Sequence, residues 1–128
     1  MRKIKQAKHG PEHKIQQDIV EFLECRGWHV ERIVGGMYQS GLPDLYIGHP
    51  KWGSRWLEVK NPNRYSFTRQ QKHKFPVFEK YRIGIWILTA ATQKEYDKLF
   101  GPPNWRDYVK KSWNIPTIEE IDKMMEEI

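Results

Sequence analysis

Hydrophobic spacing divides the chain into stretches of period near 3.6 and stretches of period two. Ile15, Ile19, Phe22 and Leu23 recur at i, i+4, i+7 and i+8, one face of a helix that starts at Pro11, a residue suited to a first turn, and stops at Gly27. "WHVERIV" (28–34) alternates as a strand, and "GGMYQSG" (35–41) is a glycine-bearing connection that lacks the Gly-Lys-Ser/Thr of a phosphate-binding loop. Two more strands, about 43–48 and 55–60, are joined through "HPKWGS". After a turn at "NPNRYS", a helix over about 67–81 is anchored by Phe67, Phe75 and Phe78, and Pro76 should kink or divide it. "IGIWILT" (83–89) is a continuous apolar run that reads as a buried strand. A short helix at "TQKEYDKLFG", an irregular segment at "PPNWRDYVKKSWNIP" and an amphipathic helix at "TIEEIDKMMEEI", with Ile118, Ile121, Met125 and Ile128 on one side, complete the chain. The order predicts an α/β domain with a mixed central sheet flanked by helices.

Alternation on the two middle strands sorts their residues. Leu45, Ile47, Leu57 and Val59 fall on one face; Asp44, Tyr46, Trp56, Glu58 and Lys60 fall on the other. In an antiparallel hairpin with an odd-length loop, opposed residues have an even index sum and share a face, so Asp44, Glu58 and Lys60 converge. Burying such carboxylates is costly unless something compensates them. A hard divalent cation such as Mg²⁺, which takes oxygen ligands, would do so, and Lys60 beside it could orient or deprotonate a water and stabilise charge on a phosphate. Spacing alone equally allows Lys60 to be an ion-pair partner of either acid.

Charge narrows the partner. The 128 residues, one domain's worth, carry 22 Lys and Arg against 16 Asp and Glu, a net +6. Residues 117–128 are strongly acidic, so the preceding body is more basic than that figure suggests, and residues 1–10 read as a flexible basic arm. Such a body suits a polyanion, nucleic acid before membrane. Cys25 is the only cysteine, which excludes an internal disulfide framework and a multi-cysteine zinc site, and fits a reducing, cytoplasmic setting. No apolar run approaches the roughly 18 residues of a membrane span. The aromatics Trp52, Trp56, Trp105, Tyr108 and Trp113 interleave with Lys and Arg, a pattern shared by packed cores and base-stacking surfaces.

Pro43-Asp44 followed by Glu58-Val59-Lys60 resembles the PD-(D/E)XK nuclease signature, and the surroundings resemble its VRR-NUC branch, the virus-type replication and repair nucleases. Glu12 with Ile15-Gln16 on the first helix, Gly41 two residues before the Pro-Asp, and Phe67-Thr68-Arg69-Gln70-Gln71 after the second strand occur in the family's order, over about residues 12–90. The resemblance implies a restriction-endonuclease-like core within a domain of residues 11–128, with its site on the sheet edge near the first helix and a C-terminal extension (91–128) that matches no family motif. It implies Asp44, Glu58 and the Val59 carbonyl as ligands of Mg²⁺ or Mn²⁺, and Lys60 as catalytic lysine. Glu12 would hold a second metal or its water, and Gln71, with Gln70 as the register alternative, would contact the phosphate or Lys60. The expected partner is DNA, met by Lys3, Lys5, Lys8, Lys14, Arg32, Arg64, Arg69 and Lys72. Small stand-alone members resemble junction-resolving enzymes, which would need a homodimer to cut a four-way junction on both sides. The rival expectations are a sequence-specific endonuclease of homing or restriction type and a non-catalytic DNA-binding module.

Overall fold

In the computed structural model, which describes residues 10–34 and 40–126, helix α1 (Pro11–Glu24) carries Pro11 in its first turn, where a missing N–H leaves no intrahelical bond unmade. It ends where Gly27 takes φ +89°. Trp28 N–H donates to Leu23 O and Gly27 N–H to Glu24 O, the paired bonds that close a helix through a left-handed glycine. This turns the chain into β1 (His29–Arg32), shorter than the alternation suggested. β2 (Leu45–His49) and β3 (Gly53–Val59) follow, then α2 (Arg69–Lys80) and β4 (Ile85–Leu88). Beyond β4 come α3 (Gln93–Asp97), three 3-10 turns and α4 (Ile118–Glu126).

The sheet order is β1-β2-β3-β4; β1 to β3 are antiparallel, and β4 joins β3 in parallel after the α2 crossover. Leu45 opposes Leu57 and Ile47 opposes Arg55, so the odd-loop register expected from the sequence holds.

Both faces of the sheet are covered. Ile19, Val20 and Leu23 of α1 pack with Trp28, Leu45, Ile47, Leu57, Val59, Leu88 and Leu99 on one side. On the other, Phe75 of α2 packs with Phe67, Ile85, Ile87 and Trp105. The C-terminal segment therefore supplies core residues, Leu99 to one cluster and Trp105 to the other.

One expectation is corrected. Pro76 does not divide α2, which runs unbroken through it; the ring is buried, and packing of the helix against the sheet outweighs the loss of one backbone bond. On α4 only Ile121 of the expected stripe is buried; Ile118 and Met125 remain exposed, and Ile128 lies outside the described residues. Lys80 of α2 pairs with Asp122 of α4.

Candidate active site

Beyond Leu45 and Leu57, the next opposed positions of β2 and β3 are Asp44 and Glu58, and there side chains replace the backbone ladder. Asp44 N–H donates to Glu58 Oε1 at 3.1 Å, and Val59 N–H donates to Asp44 Oδ2 at 2.9 Å. Each carboxylate thus satisfies an amide of the other's strand, where an opened ladder would otherwise leave inward-facing donors without partners. The acids sit where the two inner strands separate, not along an edge strand as expected. The reason is that the parallel pairing of β4 makes β3 an inner strand.

The start of α2 completes the site. Thr68 Oγ1 accepts from Gln71 N–H at 3.1 Å and Gln71 Oε1 accepts from Thr68 N–H at 3.0 Å, a capping box. With its carbonyl oxygen so fixed, Gln71 turns its Nε2 to donate to Glu58 Oε2 at 2.8 Å. Lys60 Nζ donates to that same Glu58 oxygen at 2.8 Å, to Ser66 O at 2.8 Å and to Gln71 Oε1 at 3.3 Å. Glu58 and Lys60 are 2% and 4% exposed, so this is a buried ion pair with its hydrogen-bonding capacity met by neighbours. Gln71 is buried and Gln70 exposed, which resolves the register between them. Gly41 explains the glycine before the Pro-Asp: at φ +85°, a Cβ there would stand 2.8 Å from Gln70 O, so only glycine lets this loop approach α2.

The acids are held uphill. Burial, then the charge of Asp44, pushes the Glu58 carboxyl up to about 7 against the opposing pull of Lys60 and Gln71. Burial likewise raises Asp44, although the Val59 N–H and the Lys60 charge act the other way. Glu12, in the first turn of α1, is raised by desolvation and by Asp44, and opposed by Lys60 and by the Asn61 N–H that its carboxylate accepts. Three carboxyls near one lysine favour proton uptake, the electrostatic condition that a bound cation relieves.

Among the described residues, no group of three or more His, Cys, Asp and Glu side chains could hold a metal by itself. The oxygen donors brought together are the Asp44 and Glu58 carboxylates, while Glu12 and Lys60 line a cavity of about 650 Å³ with Asn61, Arg64, Tyr65, Ser66 and Thr68. An all-oxygen set short of full coordination fits Mg²⁺ or Mn²⁺, which retain several waters, and does not fit a nitrogen- and sulfur-ligated zinc.

The basic residues picked from the sequence divide. Arg64 is exposed on the cavity, Arg69 is exposed at the first position of α2, and Lys72 lies over the Trp113 ring at 5.0 Å. Lys14 instead pairs with Asp18 at 2.7 Å within α1, and Arg32 of β1 donates to Gln16 Oε1 of α1 at 2.8 Å. Lys3, Lys5 and Lys8 lie outside the described residues. Sequence reasoning missed the Ser66 carbonyl and the Asn61 amide, backbone groups with no compositional signal. It also missed the orienting role of Thr68, although Thr-x-x-Gln before an apolar helix is a legible capping signal.

A four-stranded mixed sheet between helices, with an Asp and a Glu-x-Lys meeting where its inner strands part, defines a PD-(D/E)XK-type nuclease fold. A solved structure described as a VRR_NUC domain shares it, with a TM-score of 0.56 and 26% sequence identity over 70% of this chain and 92% of that one. This likeness supports a VRR-NUC assignment and implies a nuclease-type function. No family model matches the sequence, and no curated protein does.

Proposed function

We propose that the chain is a metal-dependent DNA endonuclease that hydrolyses phosphodiester bonds in branched DNA. The observation that carries this reading is the network of half-buried Asp44 with buried Glu58, Lys60 and Gln71, whose Lys60 lines the cavity beside Glu12. A Mg²⁺ or Mn²⁺ ion held by Asp44, Glu58 and the Val59 carbonyl would supply Lewis-acid polarisation of the phosphate and a more acidic water. The chain supplies the rest. Gln71, locked by the capping box, fixes the rotamer of Glu58. Lys60, held by Ser66 O and Gln71, places its ammonium in the cavity wall, where it stabilises charge developing on the phosphate. Glu12, its carboxyl raised mainly by desolvation, lines the cavity, where it would hold a second metal or a metal-bound water. Arg64, Arg69 and Lys72 hold the strand by its phosphates.

Cuts on both sides of a junction would require two copies, and the exposed Ile118, Met124 and Met125 of α4 with Val77 of α2 and Tyr81 at its end offer apolar area for that. The exposed free thiol of Cys25 suits a reducing cytoplasm. No helix among the described residues is long and apolar enough to cross a membrane. The three acceptors around Lys60 also favour a second reading, in which it is an ion-pair partner and the chain a DNA-binding module. The deciding experiment is cleavage of linear, flapped, single-stranded and four-way-junction DNA by the purified chain, with Mg²⁺ or with EDTA. Metal-dependent cutting strongest on branched substrates is expected; binding without cutting on every substrate would leave the second reading.

A further inference from the structure

The C-terminal segment, which carries none of the family's motifs, comes back to the cavity. Tyr65 lines it, and the Tyr65 ring stands edge-on to Trp113 at 6.3 Å and 88° and to Tyr108 at 5.9 Å and 71°. Trp113 also packs on Phe67 at 5.1 Å, and Phe67 lies 5.1 Å beneath the Lys60 ammonium, so the aromatic wall is continuous with the site. A rigid turn presents it. Trp113 ends a 3-10 turn (Lys111–Trp113) that Asn114 closes in the left-handed conformation at φ 53°, which Asn tolerates better than most residues. Trp105, eight positions earlier, anchors the segment in the core.

Cations ring this wall. Lys110 Nζ lies 5.2 Å from the Tyr65 ring centre and 5.7 Å from that of Trp113, Lys72 lies over Trp113, and Arg64 stands exposed beside Tyr65 on the cavity. Of the carboxylates, Glu58 pairs with the Lys60 that lies over Phe67, Glu12 lines the same cavity as Tyr65, and Glu120, which accepts from Thr117 N–H, lines a pocket with Lys110 and Lys111. Tyr65 and Trp113 are both half-buried.

We propose that Tyr65 and Trp113, with Arg64, Lys72 and Lys110, form a stacking platform for an unpaired stretch of DNA next to the scissile phosphate. The proposal rests on the nuclease reading above and specifies the substrate of that site. Magnitudes favour the occupant: a lysine over an exposed ring contributes about 0.5–1 kcal/mol, whereas a base stacked on an aromatic contributes about 1–3 kcal/mol. A base therefore displaces the amines from the rings, and the amines gain phosphates in exchange. Duplex DNA cannot make this contact, because its base faces are already stacked on one another. The platform selects for unpaired bases, as at a flap, a fork or an open junction centre.

The test is fluorescence anisotropy of the full chain in EDTA with labelled oligothymidylate, blunt duplex DNA and oligouridylate. Trp113→Ala and Tyr65→Ala should each weaken oligothymidylate binding about 5- to 150-fold with duplex binding unchanged, and Trp113→Phe should restore most of it. Lys110→Glu, at an exposed position that leaves the aromatic packing in place, should also weaken binding, and its thermal melt should match the parent's. Equal losses on duplex and single strand, or no loss from any variant, would overturn the platform; tighter binding of oligouridylate would overturn the assignment to DNA. Because no cleavage is read, the two proposals fail separately. A chain that cuts nothing yet shows Trp113-dependent binding loses the nuclease reading alone, and one that cuts with Mg²⁺ but binds oligothymidylate indifferently to Trp113 and Tyr65 loses the platform alone.

Discussion

The two faces of β3 are almost equally dry and chemically opposite. Toward α1, Leu57 and Val59 are fully buried in an apolar cluster. Toward α2, Glu58 and Lys60 are buried nearly as deeply, one residue out of phase, beneath Gln71 and Phe67. Burial alone therefore says nothing about role. On the first face, removal from water is itself the stabilising term; on the second it is a cost that hydrogen bonds and an ion pair offset, leaving groups whose protonation and partners can change. The first face holds the strand in place and the second exposes chemistry at its end.

Four experiments break or sharpen that contrast. The largest effect belongs to the acids: Asp44→Asn and Glu58→Gln should abolish metal-dependent cleavage while DNA affinity in EDTA stays level or rises, since a charge that repels phosphate is gone. These replacements are preferred to alanine, which at Glu58 would leave the buried Lys60 ammonium without one of its acceptors as well as without its counter-charge. Full cutting by both variants would remove the site from this face. Lys60→Ala comes next. The single-turnover rate should drop on the order of 10²- to 10³-fold, as for loss of one electrostatic stabiliser, and saturating Mg²⁺ should not restore it. Near-parental rates at high metal would make Lys60 an ion-pair partner only.

Leu57→Ala, on the opposite face one residue away, should destabilise the fold by about 2–5 kcal/mol. At temperatures where the variant stays folded, its cleavage rate per molecule should match the parent's; a rate loss comparable to that of Lys60→Ala would dissolve the distinction between the faces. The smallest effect is a pH dependence. Since Glu58 titrates near 7 in the folded chain and near 4.5 unfolded, the fold holds a proton across that interval which the unfolded chain releases. The stabilisation is fully present below pH 4.5 and is lost as pH rises to about 7, on the order of 3 kcal/mol at most. Denaturation midpoints of the metal-free chain should fall over that interval, Glu58→Gln should flatten the decline, and Mg²⁺ should oppose it at neutral pH. A midpoint that rises through the interval would contradict the raised carboxyl.

Local pattern carried much of this protein. Period-two alternation placed Asp44, Glu58 and Lys60 on one face, and the loop's odd length placed the two acids opposite each other, because strand geometry forces both. The helix end at Gly27 was legible because a left-handed closing residue is a local requirement. What local pattern could not provide was depth. The even-numbered face of β3 is buried only because α2 crosses over to lay β4 parallel beside it and because Trp105 and Trp113, distant in sequence, converge with Phe67 on it. The same non-local packing keeps α2 continuous through Pro76 and supplies Ser66 O and Asn61 N–H as partners for Lys60 and Glu12. It also raises Glu58, since desolvation is a property of everything packed around a group, and no residue's neighbours in sequence determine it. The sequence by itself determined which side chains share a face and which strand positions oppose; only the tertiary structure decided that this face would be closed to water, and so where its charges could act.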